Sequence, residues 1–297
     1  MTLPLVSVII PTLNRAGLVR EAIASVLAQA YPRIELIVVD DGSNDDTPAV
    51  LETFRTALTF LQQPHTGVSS ARNRGVAASH GELVAFLDSD DVWLPHKVTA
   101  QVAVFQEHPQ TQACYTDEIW IRHGVRVNQR LIHQKYDGWI FLPSLARCII
   151  SPSSIMLRRS LWNRLGGFDE RFLACEDYDL WLRLALVAPV HFLPERLIVK
   201  HGGHSDQLSR SVAVLDQYRI MALEKILAAS LTISQRQAVL EHLVAKCHIV
   251  AQGAYKRQHH ARWTTYHAKE QHYQHALETL RQSGEARAMA CQKAVNH

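Results

Sequence analysis

No stretch of the 297 residues comes near the roughly 20 consecutive apolar residues that a membrane-crossing helix needs, so any membrane contact is peripheral or made through a partner. The N-terminus lacks a basic segment ahead of its apolar run. Leu3 to Ile10 passes directly into Pro11-Thr12, which is no secretory leader pattern and reads as a first strand. Cysteine is scarce and scattered: Cys114, Cys148, Cys175, Cys247 and Cys291 are odd in number and never spaced Cys-x-x-Cys. Neither a disulfide framework nor a zinc knuckle is expected, and a reducing cytoplasm fits best. A charge excess is missing too. The formal net charge is +3, and the 17 histidines add little because an imidazole titrates near ~6.5, so nothing calls for nucleic acid. There is no internal repeat and no low-complexity tract.

What is present is apolar material in alternating patterns. The hydrophobic share of 47% suits a globular core, and the length suits one large domain with a smaller appendage. Val6 to Ile10 reads as a buried strand, and Leu18 to Ala28 as a helix with Val19, Ile23, Val26 and Leu27 on one face. The alternation continues through strand Leu36–Val39, a helix from Thr47 to Phe54, strand Leu58–Leu61, helix Ser69–Ser79 and strand Leu83–Leu87. Short apolar strands alternating with helices predict a parallel sheet covered on both faces, which binds ligands beyond the carboxyl ends of its strands. From Gln101 to Phe141 the pattern breaks up, with Cys114-Tyr115-Thr116-Asp117 resembling the end of another strand. Beyond about Ser211 the prolines have stopped, glycines are rare, and Leu215, Met221, Leu223, Ile226 and Leu227 fall at helical spacing. The expected division is therefore a 1–210 catalytic domain and a 211–297 helical extension. The histidines between His259 and His275 read as a solvated helix face.

The acidic clusters fall at predicted strand ends. Asp88-Ser89-Asp90-Asp91 directly follows the apolar run Leu83–Leu87, and three crowded carboxylates are unfavourable without a cation. Carboxylate oxygens suit Mg²⁺ or Mn²⁺, and an ion held by one or two of them keeps positions for phosphate oxygens. Asp90-Asp91 also has an ordinary reading as a cap for the segment near Trp93-Leu94-Pro95, and Asp40-Asp41-Gly42-Ser43 as a turn capping the helix near Thr47.

Combination gives these motifs their weight. Pro11-Thr12-Leu13-Asn14-Arg15, Asp40-Asp41-Gly42-Ser43, Ala71-Arg72-Asn73-Arg74-Gly75 and Asp88-Ser89-Asp90-Asp91 lie in one alternating β/α unit. Gly166-Gly167-Phe168-Asp169-Glu170 and Glu176-Asp177-Tyr178-Asp179-Leu180-Trp181-Leu182-Arg183 follow. In order and spacing they resemble family 2 glycosyltransferases of the GT-A fold, over roughly residues 5 to 205. The resemblance implies an α/β, Rossmann-like and mostly parallel sheet with an α-helical C-terminal extension. It implies an Asp-x-Asp motif at Asp88-Ser89-Asp90, with Pro11, Thr12 and Asn14 beside a nucleotide, Asp40 on its base and Arg72 near the base or phosphates. It places Asp88 near the ribose or metal, Ser89 in the donor site, Asp90 on the metal, and a histidine or basic residue such as His201 or His204 toward the metal or diphosphate.

Asp177 precedes Leu180, Trp181 and Leu184 by three, four and seven residues, which predicts one helix face and an inward carboxylate. Glu176 lies about 100° away, and Asp179 is spaced i,i+4 from Arg183 as a surface pair. Asp177 is thus the preferred general base, with Glu176 second. One carboxylate suffices for single displacement with inversion when a metal stabilises the departing diphosphate, unlike glycoside hydrolysis. Trp120, Trp139 and Trp181 can stack on a sugar, and Trp181, beside the base, is the acceptor candidate.

The expected activity is transfer from a nucleoside diphosphate sugar, most simply a UDP-sugar, to a hydroxyl on a glycan, lipid-linked or small acceptor. Cytoplasmic location, peripheral contact with the inner membrane face and homodimerisation through the C-terminal helices accompany this reading. The alternatives are a nucleotidyltransferase, which usually needs a glycine-rich basic loop that Pro11–Arg15 does not supply, and a non-catalytic nucleotide-sugar-binding module, which intact Asp88, Asp90 and Asp177 oppose.

Overall fold

Val6 to Ile10 is apolar and β-branched at four of five positions, and it lies at the centre of β1 (Val6–Thr12), buried along its whole length. The chain then alternates as the sequence pattern requires. α1 (Ala16–Leu27) buries Val19, Ala22, Ile23 and Val26, and β2 (Ile34–Asp40), α2 (Thr47–Glu52), β3 (Thr59–Gln62), α3 (Val68–Ala77) and β4 (Leu83–Phe86) follow. These four strands lie in the order β3-β2-β1-β4, every pair parallel. The register sets Thr12 beside Asp40 and Asp40 beside Gln62, so the strand-end residues share one edge. α3 approaches β1 closely enough that a Cβ on Gly75 would come within 2.4 Å of Ile9 Cγ2, which is why that position is glycine.

After β4 the chain forms β5 (Asp91–Trp93), α4 (Lys97–Glu107), β6 (Ala113–Arg122), β7 (Val125–Val127), α5 (Phe141–Ser144), β8 (Ile155–Arg158), α6 (Arg159–Leu165), α7 (Glu176–Val187) and β9 (His191–Gly202). β8 runs antiparallel between β4 and β6, while β9 is parallel to β6 and antiparallel to β5. The expected parallel α/β sheet thus occupies the first half and continues into a mixed second half. Cys114–Asp117 opens a ten-residue strand instead of closing one. Its signal is obscured because Thr116, Asp117 and Glu118 sit mid-strand, at register shifts in the pairing with β9. Neither acidic motif caps a helix: Asp91 begins β5, α4 starts behind His96, and α2 starts behind Asp46.

The structure describes residues 3–129, 131–203 and 215–295, in a computed structural model, so His204 lies outside the described residues. The chain divides into two compact units, one comprising Met1–Ser144 and Cys148–Ser211, the other Leu145–Arg147 and Val212–His297. The first holds the sheet and a core that includes Val8, Ile10, Val38, Ala85, Leu87, Trp93 and Ile198. The second is helical: α8 (Leu215–Leu227), α9 (Ile233–Lys256) and α10 (His260–Val295). α9 opens on a capping box, in which Thr232 Oγ1 accepts from the Gln235 N–H and Gln235 Oε1 accepts from the Thr232 N–H. Val239, Leu243, Cys247, Val250 and Ala254 form its buried stripe. No helix among the described residues is long and apolar enough to cross a membrane.

Candidate active site

The loops after β1 and β2 are stitched together. Asn14 adopts a left-handed backbone (φ 52°), its N–H donates to Ser43 Oγ at 2.8 Å, and its Oδ1 accepts from the Asn44 N–H at 2.8 Å. The Arg15 N–H donates to Thr47 Oγ1 at 3.0 Å. Pro11 and Thr12 are buried at the end of β1, and Thr12 Oγ1 has no hydrogen-bond partner among the described residues. The two aspartates of the next motif divide their work. Asp40 is fully buried, accepting from the Ser43 N–H at 3.0 Å and from Gln62 Nε2 at 3.2 Å. Asp41 turns the other way and holds the loop after β3, accepting from Gln63 Nε2 at 2.7 Å and from the N–H groups of Thr66 and Gly67 at 2.9 and 2.8 Å. Burial pushes the Asp41 pKa upward, but these donors outweigh it and leave it below the ordinary value.

The acidic turn after β4 is held by a residue from a distant segment. Ser153 Oγ donates to Asp91 Oδ2 at 2.6 Å and accepts from the Asp88 N–H at 3.1 Å. Asp91 Oδ1 accepts from the His201 N–H at 3.1 Å, so Asp91, 1% exposed, supports the turn from beneath. His201 also donates its Nδ1–H to the Asp90 carbonyl at 2.9 Å, a bond that leaves Nε2 as the ring's acceptor. Ser89 is buried, while Asp88 and Asp90 are part-exposed. Asp90 forms an ion pair with Arg15 Nη1 at 2.9 Å. Burial and the neighbouring Asp88 charge raise the pKa of Asp90 against the opposing Arg15, and burial raises that of Asp91. Asp88, Asp90 and His201 therefore bring hard oxygen donors and one imidazole nitrogen to a single turn, the donor chemistry that suits Mg²⁺ or Mn²⁺. Among the described residues no three His, Cys, Asp or Glu side chains form a complete metal cage.

Arg72 joins this turn to the start of α7. Its guanidinium, 3% exposed, donates through Nη2 to Asp88 Oδ1 and through Nη1 to Glu176 Oε1, each at 2.7 Å, and lies 5.0 Å over the Phe168 ring. Burial opposes the charge, yet Asp88 and Glu176 outweigh it and raise the Arg72 pKa. Asn73 fixes the same helix to the Gly166–Glu170 motif, donating to the Phe168 carbonyl and accepting its N–H, each at 2.9 Å. The separate motifs of the sequence thus meet through side-chain bonds.

Three expectations for α7 need correction. Glu176 is the deeply buried acid, 5% exposed and committed to Arg72, with burial raising its pKa against that partner; Asp177 is half-buried. Asp179 does pair with Arg183, at 2.7 Å, but at full burial instead of on the surface. The cause is Arg183 itself, which also donates to the Leu165 and Gly167 carbonyls and so seals Asp179 beneath it. Because α7 is buried nearly all round, apolar spacing alone does not separate its carboxylates. Trp181 is 2% exposed and packs edge-on against Phe168, so its rings belong to the core and offer no face to a sugar.

Sequence reasoning missed Ser153, Lys200, Glu118, Lys135 and Cys148. Burial, the largest influence on Lys200, lowers its pKa, but Glu118, Asp91, Asp88 and Asp177 together outweigh it and hold the ammonium charged. Glu118 accepts from Lys135 Nζ at 2.9 Å and Ser151 Oγ at 2.8 Å, and despite burial its pKa falls to about 2 under Lys200 and Lys135. Cys148 Sγ donates to Asp177 Oδ2 at 3.3 Å. The one available signal was the lysine beside His201, directly after the apolar run Leu197–Val199.

The profile of glycosyl transferase family 2 matches residues 7–165. An uncharacterized glycosyltransferase of Rickettsia typhi is 31% identical over 225 residues, 73% of this chain and 70% of that protein. A UDP-Glc:alpha-D-GlcNAc-diphosphoundecaprenol beta-1,3-glucosyltransferase of Escherichia coli is 32% identical over 61% of this chain and 69% of its own length. The chain spans only 36% of the length of a 33% identical uncharacterized glycosyltransferase of Rickettsia felis. Among solved structures, S. aureus TarS 1-349 in complex with UDP-GlcNAc superposes with a TM-score of 0.72 at 20% identity, covering 94% of this chain and 92% of that one. The Pyrobaculum calidifontis mannosyltransferase PcManGT in complex with GDP-Man and Mn²⁺ gives 0.61 at 19% identity, covering 93% and 88%. With its α/β sheet, its strand-end motifs and a profile match over more than half its length, the chain belongs to glycosyl transferase family 2.

Proposed function

We propose that the chain transfers a sugar, with inversion, from a nucleoside diphosphate donor to a hydroxyl acceptor, using the loops after β1, β2 and β4 for the donor and Asp177 as the base. The observation that carries this reading is the Arg72 bridge. It ties Asp88 of the donor turn to Glu176, so that the next carboxylate, Asp177, stands beside the donor turn without serving as Arg72's partner. Asp40 and Arg72 supply an acceptor and donors for a base or phosphate, and Thr12 adds a buried hydroxyl that has no internal partner. A UDP-sugar is the favoured donor, because the similar E. coli enzyme is named for UDP-Glc and the similar TarS structure holds UDP-GlcNAc.

Asp88, Asp90 and the Nε2 of His201 would hold Mn²⁺ or Mg²⁺, whose charge stabilises the diphosphate as it leaves. On the protein side, Asp177 takes the acceptor hydroxyl proton as that oxygen bonds the anomeric carbon and the carbon–oxygen bond to the diphosphate breaks. The buried Arg72 holds the donor turn and the base helix in fixed relation. A lipid-linked acceptor, as named for the E. coli enzyme, is compatible with peripheral membrane contact.

The test pairs a donor panel with two variants. UDP-, GDP- and dTDP-sugars are screened for thermal stabilisation and Mn²⁺-dependent turnover, then Asp177→Asn is compared with wild type. Asp177→Asn should lose about 10²- to 10⁴-fold in rate while keeping its UDP affinity. Near wild-type transfer by Asp177→Asn would remove the base assignment; stabilisation by no nucleotide sugar would remove the donor site.

A further inference from the structure

Asp90 is engaged by Arg15, and Arg15 sits on a loop whose backbone is fixed while its side chain is not. The Arg15 N–H is held by Thr47, and its neighbours Asn14 and Ala16 are bonded to the Ser43–Asp45 loop. The side chain crosses from there to Asp90 Oδ2 at 2.9 Å, with 17% of Arg15 and 12% of Asp90 exposed. The pair thus joins the loop beyond β1 to the loop beyond β4, across the strand ends where a diphosphate would lie. Asp88 is neutralised differently, by the wholly buried Arg72, whose position Glu176 also fixes. Of the two arginines on this acidic turn, only Arg15 is placed at its solvent side.

We propose that Arg15 is an exchangeable counter-ion: it neutralises Asp90 while no divalent cation is bound, yields the carboxylate to the cation, and transfers its guanidinium to the donor diphosphate. This deepens the proposed function and rests on it. The electrostatics favour the exchange in one direction. A divalent ion at Asp90 repels the guanidinium, and an arriving diphosphate offers it oxygens that match its paired N–H groups better than one carboxylate oxygen does. The chain bearing Arg15 needs no backbone change to make this move, since rotation about side-chain bonds is enough. Metal and nucleotide binding become coupled through one side chain, with the metal resisted by Arg15 when alone and assisted by it when the nucleotide is present.

The experiment measures free Mn²⁺ by electron paramagnetic resonance during titration of the full chain, with and without UDP, for wild type, Arg15→Ala and Arg15→Lys. Without UDP, Arg15→Ala should bind Mn²⁺ about two- to fivefold more tightly than wild type, as expected for loss of a competing ion pair. With Mn²⁺ saturating, it should bind UDP on the order of tenfold more weakly, the loss of a charged hydrogen bond. Arg15→Lys should fall between on both axes, and circular dichroism verifies the fold of each variant. If wild type binds no Mn²⁺ with or without UDP, the metal reading fails and the exchange with it. If wild type binds Mn²⁺ but Arg15→Ala shows unchanged or weaker metal affinity, or unchanged UDP affinity, the exchange alone is overturned.

Discussion

Lys97 offers a test of the fold beneath the donor turn. It is 0% exposed, its ammonium lies 3.8 Å over the Trp93 ring, and its Nζ donates to Gln101 Oε1 at 2.6 Å. No carboxylate pairs with it among the described residues, and burial lowers its pKa to about 7 from a model-peptide value of 10.5. Between these two values the unfolded chain carries a proton that the folded chain does not, so stability from this group is greatest above pH ~10.5 and is lost as pH falls to about 7. At about 1.36 kcal/mol per pH unit, the group adds up to roughly 2.7 kcal/mol between pH 7 and pH 9. Lys97→Met keeps the apolar stem and removes the titration, while leaving Gln101 Oε1 without its donor at a constant cost of about 1–3 kcal/mol. The assay is urea unfolding followed by tryptophan fluorescence, since Trp93, Trp120, Trp139, Trp162 and Trp181 all lie in the first unit. Wild-type stability relative to Lys97→Met should increase by about 2–3 kcal/mol from pH 7 to pH 9. Parallel pH dependences for the two proteins would refute the buried neutral amine.

Two further outcomes follow from buried polar contacts. Arg72→Met strands Asp88 and Glu176 without their shared cation and should cost about 3–5 kcal/mol in urea unfolding, while Arg72→Lys, which cannot span both carboxylates in one plane, should recover only part of it. Ser153→Ala removes a donor from the buried Asp91 and should cost about 1–3 kcal/mol in the same assay, with Mn²⁺ affinity falling as the Asp88–Asp90 turn loosens.

The first half of the sheet was legible because each strand is a short apolar run and each helix has one apolar face, so Val6–Ile10 and Leu83–Leu87 announce themselves. The donor turn was legible for the same reason, lying where such runs end. β6 was not. Its polar residues are buried beside partners supplied from Lys135 and Ser151, pairings that no local pattern records. The face argument for Asp177 rested on a helix with a solvent side, and α7 has almost none. Glu176 was ranked second without knowledge of Arg72, 104 residues away, and Ser153 carries no signal because a serine in a loop is ordinary until Asp88 and Asp91 are seen beside it.

β9 links the two halves of the sheet in a way that limits how the protein can move. One edge of this strand pairs with β6 across the bulges, and the other pairs with β5, with Lys200 opposite both Trp120 and Asp91. A jaw-like opening between the donor strands and the later strands would have to tear this ladder and the β4–β8 pairing that precedes it. Substrate entry and product release therefore fall to side chains and surface loops over a stiff platform, and changes of sugar or acceptor preference can accumulate in those loops without unsettling the strands beneath.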